Sequence, residues 1–446
     1  MQDCSGSLDV ALASRRIGLQ RDLWEITSDI IGLRRWLEIQ APMLQGATWQ
    51  ALSVVKKVHL KSTTLNSDFK GITVSSDTFF PVSRPSLSSL EEEYVVDAIR
   101  SGWVSSLGVY VDRFEEEFSK FCNVDYGVAV SNGTAALHVS LCALGIGPGD
   151  EVIVPDLSFI ATANAICMTG AKPVFCDIEP ETLCIDPNCI NQLITSRTRA
   201  IIPVHLYGHP ARMSQITDIA RERNLFVIED AAESHGAKIG AEPVGSFGDC
   251  AVFSFYGNKN LTTGEGGIIV SNDKKLIEKC RLLRDHSMSA KKRYWHDELG
   301  YNYRMTNIQA AIGCAQNARS DHLISARKKV FSLYYKQLSP IPELTMNRQT
   351  SWATNAVWLT CVEVAGMNEG KRDELIQHLK EHGIDTRPYF YPMSRMPYLP
   401  SGNTPVSHEI SPRGLNLPTY VDLSESEVEF ISTQFITSCK ALELFG

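Results

Sequence analysis

Four loops of this sequence hold residue types that could do chemistry together. In SFYGNKNLTTGEGG, residues 254–267, Lys259 stands where an apolar run stops, and three glycines and a carboxylate follow it. A lysine held among fixed groups beside an apolar strand end can have its pKa lowered, and its neutral amine is then a nucleophile toward carbonyls. Glycines around it let a backbone approach a bound group closely. In LFVIEDAAESHGA, Asp230 ends an apolar run. A buried, ionised carboxylate there could keep a heterocyclic nitrogen protonated, although the position equally suits a helix cap. In SNGTAALHVSLCALG, Gly133 and Thr134 lie where a strand gives way to a helix. Free N–H groups, a hydroxyl and the positive end of the helix dipole would converge there on a site suited to phosphate, and the same residue types cap helices for purely structural reasons. In GYNYRMTNIQAAIG, Asn302 and Arg304 precede a helix whose Ile308, Ala311 and Ile312 face core or interface; the loop alone assigns them no role.

The elements that must position these loops are regular from about Pro81 onward. SLSSLEEEYVVDAIRSG opens with serines suited to capping and ends at a glycine, which predicts one helix; VDRFEEEFSKFC predicts a second. YGVAV, EVIVPDLSF, KPVFCDI, AIIPVHLYG and LFVIEDAAES are β-rich runs separated by helical segments. Such βαβ repetition implies a mostly parallel sheet covered on both faces, with ligands gathered at the carboxyl ends of its strands. The alternation in CAVFSFY places Ser254 within a few ångströms of Lys259 across the turn. Beyond about residue 325, RKKVFSLYYKQL and KRDELIQHLKEHGI read as helices and NAVWLTCVEV as a strand, a smaller α+β domain.

The chain has 446 residues, 43% hydrophobic and 21% charged, an ordinary globular composition with room for two or three domains. No apolar run approaches the length of a membrane-spanning helix and the N-terminus has no signal-peptide pattern, so a cytoplasmic protein is expected. Its 12 cysteines are scattered singly and its 11 histidines show no ligand spacing, so neither disulfides nor a metal site is expected. A net charge of −8 disfavours broad attraction of nucleic acid. Residues 1–75 differ from the rest. Leu23, Ile26, Ile30, Leu33 and Leu37 form one helical stripe and KSTTLNSDFKG reads as a linker, which suggests an accessory helix without visible chemistry.

SNGTAALHVSLCALGIGPGDEVIVPDLSFIATANAI, PVHLYGHPARM, EDAAESHGA, FSFYGNKNLTTGEGG, GYNYRMTNIQAAIG and GIDTRPYFYPM resemble, in order, the motifs of the DegT-type nucleotide-sugar aminotransferases. The match runs from about Pro81 to the C-terminus. The resemblance implies an α/β fold of the pyridoxal-phosphate-dependent transferase type I. It divides into a large domain over residues 76–325, with a central mostly parallel sheet, and a small α+β domain over 326–446. It implies that Lys259 bonds pyridoxal 5′-phosphate, that Asp230 pairs with the ring nitrogen, and that Phe159 stacks on the ring. Gly133, Thr134 and Ser254 would hold the phosphate, and Glu233 would stand near the ring's 3′ oxygen, where glutamine is the commoner residue. Asn302 would reach the phosphate of the neighbouring subunit, which implies a homodimer with shared sites.

The implied activity is ping-pong transfer of an amino group from glutamate to a nucleotide-linked 4-keto-6-deoxy sugar, for surface polysaccharide synthesis, with Lys259 moving the proton. FSFYGNK together with RYWHDELGYNYRM is most similar to members that use GDP-4-keto-6-deoxymannose, with a UDP- or dTDP-linked sugar as the alternative. Tyr294, Trp295 and Arg387 are candidate substrate contacts by position. Related sugar 3-dehydratases carry histidine where this chain has Lys259, which disfavours that reaction. The rival of another class, a cofactor-binding regulator with little activity, is disfavoured by the intact Lys259, Asp230 and Asn302.

Overall fold

The apolar runs of the first half assemble into one seven-stranded sheet. The structure, a computed structural model, describes residues 79–445; the predicted stripe from Leu23 to Leu37 and the predicted linker at 61–71 lie outside the described residues. In chain order the strands are β1 (Tyr126–Val130), β2 (Glu151–Pro155), β3 (Lys172–Cys176), β4 (Thr198–Ile201), β5 (Phe226–Asp230), β6 (Cys250–Ser254) and β7 (Gly267–Ser271). Their spatial order is β1-β7-β6-β5-β4-β2-β3. Strands β3, β2, β4, β5 and β6 pair in parallel. Strand β7 pairs antiparallel with both β6 and β1, so β1 to β6 all run one way and β7 alone runs back.

This topology brings the carboxyl ends of β1, β2, β5 and β6 to one edge. Residues alternate between the faces along each strand: Val152 and Val154 enter one core, and Ile153 between them enters another. Both faces are therefore buried, which is why these runs read as nearly continuous apolar sequence.

Helices cover the two faces and deliver the loops. Helix α1 (Ser89–Arg100) begins with a capping box in which Ser88 and Glu91 satisfy each other's exposed backbone groups. Helix α2 (Val109–Phe121) buries Phe114 and Phe118 against Phe253 and Phe255, whose rings meet theirs edge-on. Helix α3 (Gly133–Ala143) starts three residues after β1 ends, with Asn132 Oδ1 accepting from the Ala135 N–H at 2.8 Å. Then come α4 (Ala161–Met168), α5 (Met213–Arg223), α6 (Lys274–Arg284), α7 (Asn307–Ala318) and α8 (Ser320–Leu338). On α7, Ala311 is buried while Ile308 and Ile312 are half-buried.

A second, antiparallel sheet follows, built from β8 (Leu344–Met346), β9 (Thr360–Val364), β10 (Arg387–Pro388) and β11 (Gly414–Leu417) in the order β8-β9-β11-β10. Val362, Val364, Leu415 and Leu417 pack there with Tyr334 and Leu338 of α8. Leu375 and Leu379 of α9 (Glu369–Glu381) and Phe435 of α10 (Glu425–Ala441) join the same core. Among the described residues no helix is long and apolar enough to cross a membrane.

Candidate active site

The strand ends and the second sheet together line one cavity of ≈ 1540 Å³. Gly133, Thr134, Phe159, Asp230, Glu233, Ser254, Lys259 and Arg387, all singled out from the sequence, are on its wall.

Lys259 lies on the turn that leaves β6. Its side chain is 11% exposed, its Nζ is 3.7 Å from Glu233 Oε1, and the indole of Trp358 lies beneath it at 3.8 Å from ring centroid to Nζ. Burial lowers its pKa, and Arg327 lowers it further, against the opposing pull of Glu233 and Asp230. A lysine in this setting spends more of its time as the neutral nucleophile than a solvated one does.

Two carboxylates flank it. Asp230, the last residue of β5, is 4% exposed; its Oδ2 accepts from Thr162 Oγ1 at 2.7 Å and its Oδ1 from the Ala232 N–H at 3.2 Å. Burial raises its pKa while those two hydrogen bonds favour the anion. Behind it, His205 donates its backbone N–H to the Asp230 carbonyl at 3.0 Å. The His205 Nδ1 accepts from Ala211, so its Nε2 carries the hydrogen facing Glu229 at 3.0 Å.

Glu233, three residues beyond Asp230, is also 4% exposed, and burial pushes its carboxyl up to about 7. Its Oε2 accepts the Tyr207 N–H at 2.8 Å. Tyr207 has φ 52°, a left-handed conformation that costs a bulky residue energy and is tolerated here because it aims that N–H at Glu233. The buried Tyr207 ring stacks on Phe390 and Trp358, which line the cavity, and backs them from behind.

Across the cavity, α3 presents the free N–H groups of its first turn. A Cβ at residue 133 would sit 2.9 Å from the Ser254 Cβ, so only glycine lets the helix start and the Ser254 hydroxyl face the same space. The arrangement offers an anion site at a helix N-terminus, a buried carboxylate for a basic heterocycle, and a nucleophilic amine between them. Phe159 is 54% exposed into the cavity, 5.7 Å from Phe390 between ring centroids.

Three residues singled out from the sequence are not on this wall. Asn302 is exposed, and its Oδ1 accepts from Arg304 Nη2 at 2.9 Å. Tyr294 and Trp295, on the same excursion between α6 and α7, are 76% and 49% exposed. Arg387 lines the cavity, with its guanidinium paired to Asp385. Sequence reading missed Thr162, Tyr207, Trp358 and Arg327. Thr162 follows Phe159 by three residues on α4; the others come from distant segments, and no local pattern marks them.

A doubly wound α/β body with a buried lysine at a strand-end turn, two carboxylates beside it and a helix start opposite defines a cofactor-dependent enzyme that works on carbonyl or amino groups. Residues 85–435 match the DegT/DnrJ/EryC1/StrS aminotransferase family, and the chain belongs to that family. It is 44% identical over 355 residues to the GDP-perosamine synthase of Escherichia coli O157:H7, covering 79% of this chain and 96% of that one. It is likewise 44% identical to the GDP-perosamine synthase of Caulobacter vibrioides, over 78% of this chain and 95% of the relative. Among solved structures, Spr1654 of Streptococcus pneumoniae, assigned as a sugar aminotransferase and solved in its PLP form, superposes with a TM-score of 0.78. It is 27% identical, with coverage of 82% of this chain and 100% of that one.

Proposed function

We propose that this protein transfers the amino group of glutamate to the 4-keto carbon of GDP-4-keto-6-deoxymannose, giving GDP-perosamine, with pyridoxal 5′-phosphate as cofactor and a homodimer as the working unit. The observation that carries this is Lys259, set beside Glu233 and Asp230 and facing the open start of α3 across one cavity. That donor set fits the cofactor. The Gly133 and Thr134 N–H groups and the Ser254 hydroxyl suit its phosphate, Asp230 its ring nitrogen, Glu233 its ring oxygen, Phe159 a ring face, and the Lys259 amine its aldehyde. When bound, the cofactor supplies an electron sink for the carbon attached to the transferred nitrogen.

The chain's own residues do the rest. Lys259, uncharged in part because it is buried, takes the proton from the α-carbon of glutamate onto Nζ and in the second half-reaction delivers one to C4 of the sugar. Glu233, with a carboxyl near 7, balances the amine in either charge state. Asp230, fixed through both oxygens by Thr162 and Ala232, holds its negative charge toward the cavity. The Trp358 and Phe390 rings on the cavity wall, backed by Tyr207, keep water from beneath the reacting groups. A cavity above the usual ~300–1,000 Å³ of small-molecule sites suits a nucleotide sugar. Both substrates use it in turn, so ping-pong kinetics are expected.

Two features support the homodimer. Ile99, Trp103, Val104, Leu107 and Val109 are all exposed within one short stretch, and clustered exposed apolar residues of this kind mark protein–protein contacts. Asn302 stands exposed next to Tyr303, which lines the cavity, so a neighbouring subunit can reach it. The test is incubation with glutamate and GDP-, UDP- and dTDP-linked 4-keto-6-deoxy sugars, with mass detection of the amino product. Conversion of the GDP sugar is expected. Conversion of only a UDP or dTDP sugar would overturn the perosamine assignment and leave the aminotransferase.

A further inference from the structure

Behind Lys259 lies a buried charge that the reaction scheme above does not use. Arg327, on α8, is 1% exposed, and no carboxylate among the described residues pairs with it. Its donors go to four neutral acceptors. Nη1 donates to the carbonyls of Trp358 at 2.9 Å and Thr419 at 3.2 Å; Nη2 donates to Ser83 Oγ at 3.2 Å and to the carbonyl of Lys259 at 3.2 Å. Its Nε is buried without a partner among the described residues. A cation buried without a counterion is costly, and a fold retains one where it serves a purpose or where its removal would strand other groups. Burial pushes the guanidinium down to about 10, which still leaves it charged at neutral pH.

The neighbouring carbonyl is taken as well. Asn258 O accepts from Trp358 Nε1 at 2.9 Å and from Ser83 Oγ at 3.2 Å. Both carbonyls at the lysine turn are thus gripped by groups from three distant segments, and the Trp358 ring underlies the amine. The charged and titratable groups that face Lys259 divide by sign. Glu233 and Asp230, at and beyond the end of β5, favour its ammonium form, and Arg327 of α8 opposes it. His235, deeper in the core with both ring nitrogens unpaired among the described residues, is pushed down to about 3 by burial and is neutral.

We propose that Arg327 is a positioning residue for the reaction: its fork clamps the Lys259 carbonyl so that the amine faces the cavity, and its unneutralised charge opposes the pull of the two carboxylates on that amine. The proposal rests on Lys259 being the reactive lysine.

Full-length Arg327→Gln and Arg327→Lys are compared with wild type in three ways. One is the pH titration of the visible absorbance of the lysine-bound cofactor. Another is the pH dependence of Lys259 acetylation in the full chain stripped of cofactor, read by peptide mass. The third is kcat and KM. Arg327→Gln removes the charge, so the Lys259 midpoint is expected to move up and kcat to fall. Arg327→Lys keeps the charge but cannot fork across several carbonyls, so the midpoint is expected to stay and kcat to fall about tenfold. An unmoved midpoint in Arg327→Gln overturns the electrostatic role, and wild-type kcat in Arg327→Lys overturns the clamp. If Arg327→Gln does not fold, a wild-type Lys259 midpoint at or above that of free lysine overturns the electrostatic role in its place. Absence of the lysine–cofactor band from wild type is a different result: it removes the function proposed above and not the clamp alone.

Discussion

The turn that carries Lys259 and the excursion that carries Asn302 both border the site, yet they are built on opposite principles. At the lysine turn, Asn258 and Lys259 give up their carbonyls to Trp358, Ser83 and Arg327, and buried Asn260 donates Nδ2 to Ala356 O at 3.3 Å. At the tip of the excursion between α6 and α7, over residues 289–299, the bonds run to nearby residues, although Tyr301 and Tyr303 beyond it are tied to α3 and to Ser131 just past β1. Trp295 Nε1 donates to Asp297 at 2.8 Å, His296 Nδ1 meets His286 O at 2.7 Å, and Leu299 is 77% exposed. His286, Ser287 and Tyr294 all have positive φ; Ser287 is buried, whereas Tyr294 lies in the exposed run 290–299 and adopts unfavourable backbone with little packing to repay it. The contrast separates two jobs. Groups that move a proton are held from all sides, whereas groups that complete or recognise are left facing outward, for a second surface to order.

Lys259→Ala tests the first half of that comparison and should have the largest effect. Loss of the amine removes both the attachment point and the proton carrier, so kcat should drop by at least ~10³-fold and the cofactor's visible band should shift. Folding should be nearly unaffected, because the turn is held by its carbonyls. Retained activity in this variant would falsify the assignment of Lys259.

Asn302→Ala tests the second half. If Asn302 serves the other subunit's site, the variant alone should lose about tenfold or more. Refolding it together with Lys259→Ala in equal amounts should restore about a quarter of wild-type activity, because half the dimers are mixed and each mixed dimer has one intact site. No recovery on mixing would place Asn302 outside a shared site.

How much of this contrast was legible beforehand follows from where each contact comes from. Asp230, Lys259 and Gly133 could be found because each ends an apolar run at a strand's carboxyl end, and the parallel sheet brings such ends together. The return direction of β7 was not legible: GGIIVS is as apolar as its parallel neighbours, and only the compact turn before it, with no crossover helix, makes it antiparallel. Tyr207, Trp358 and Arg327 were invisible for a different reason. They sit in apolar or helical runs and acquire meaning only when contacts across tens to hundreds of residues close around the turn. Tyr294 and Trp295 were named by position, and the structure leaves them exposed and off the cavity wall.

Glu233→Gln should act more gently and through pH. The Glu233 carboxyl is raised by burial to about 7 in the folded protein from 4.5. The folded state therefore holds its proton more tightly than the unfolded chain does, and this group makes stability fall as pH rises from 4.5 to about 7. Glutamine removes that slope, so urea midpoints between those pH values should vary less in the variant than in wild type. The same change withdraws a charge that favours the Lys259 ammonium, so the acidic limb of the kcat profile should move to lower pH. A limb that moves upward, or an unchanged stability slope, would contradict this account of the pair.

The smallest effect is expected from Trp295→Ala, and it bears most directly on what the exposed excursion is for. Trp295 has one side-chain hydrogen bond, to Asp297, and a stacking contact from Lys292 Nζ at 3.9 Å, both within the same segment and both at the surface. Removing the indole should therefore change folding stability by no more than ~0.5 kcal/mol. Saturated turnover should also stay close to wild type, because nothing in the lysine turn leans on this residue. If the indole meets the nucleotide sugar, KM for that substrate should rise severalfold while KM for glutamate stays put. Ping-pong kinetics let the two half-reactions be measured apart. Equal KM values for both substrates in variant and wild type would leave the exposed tryptophan to the subunit interface, where the readout is dissociation of the dimer on dilution.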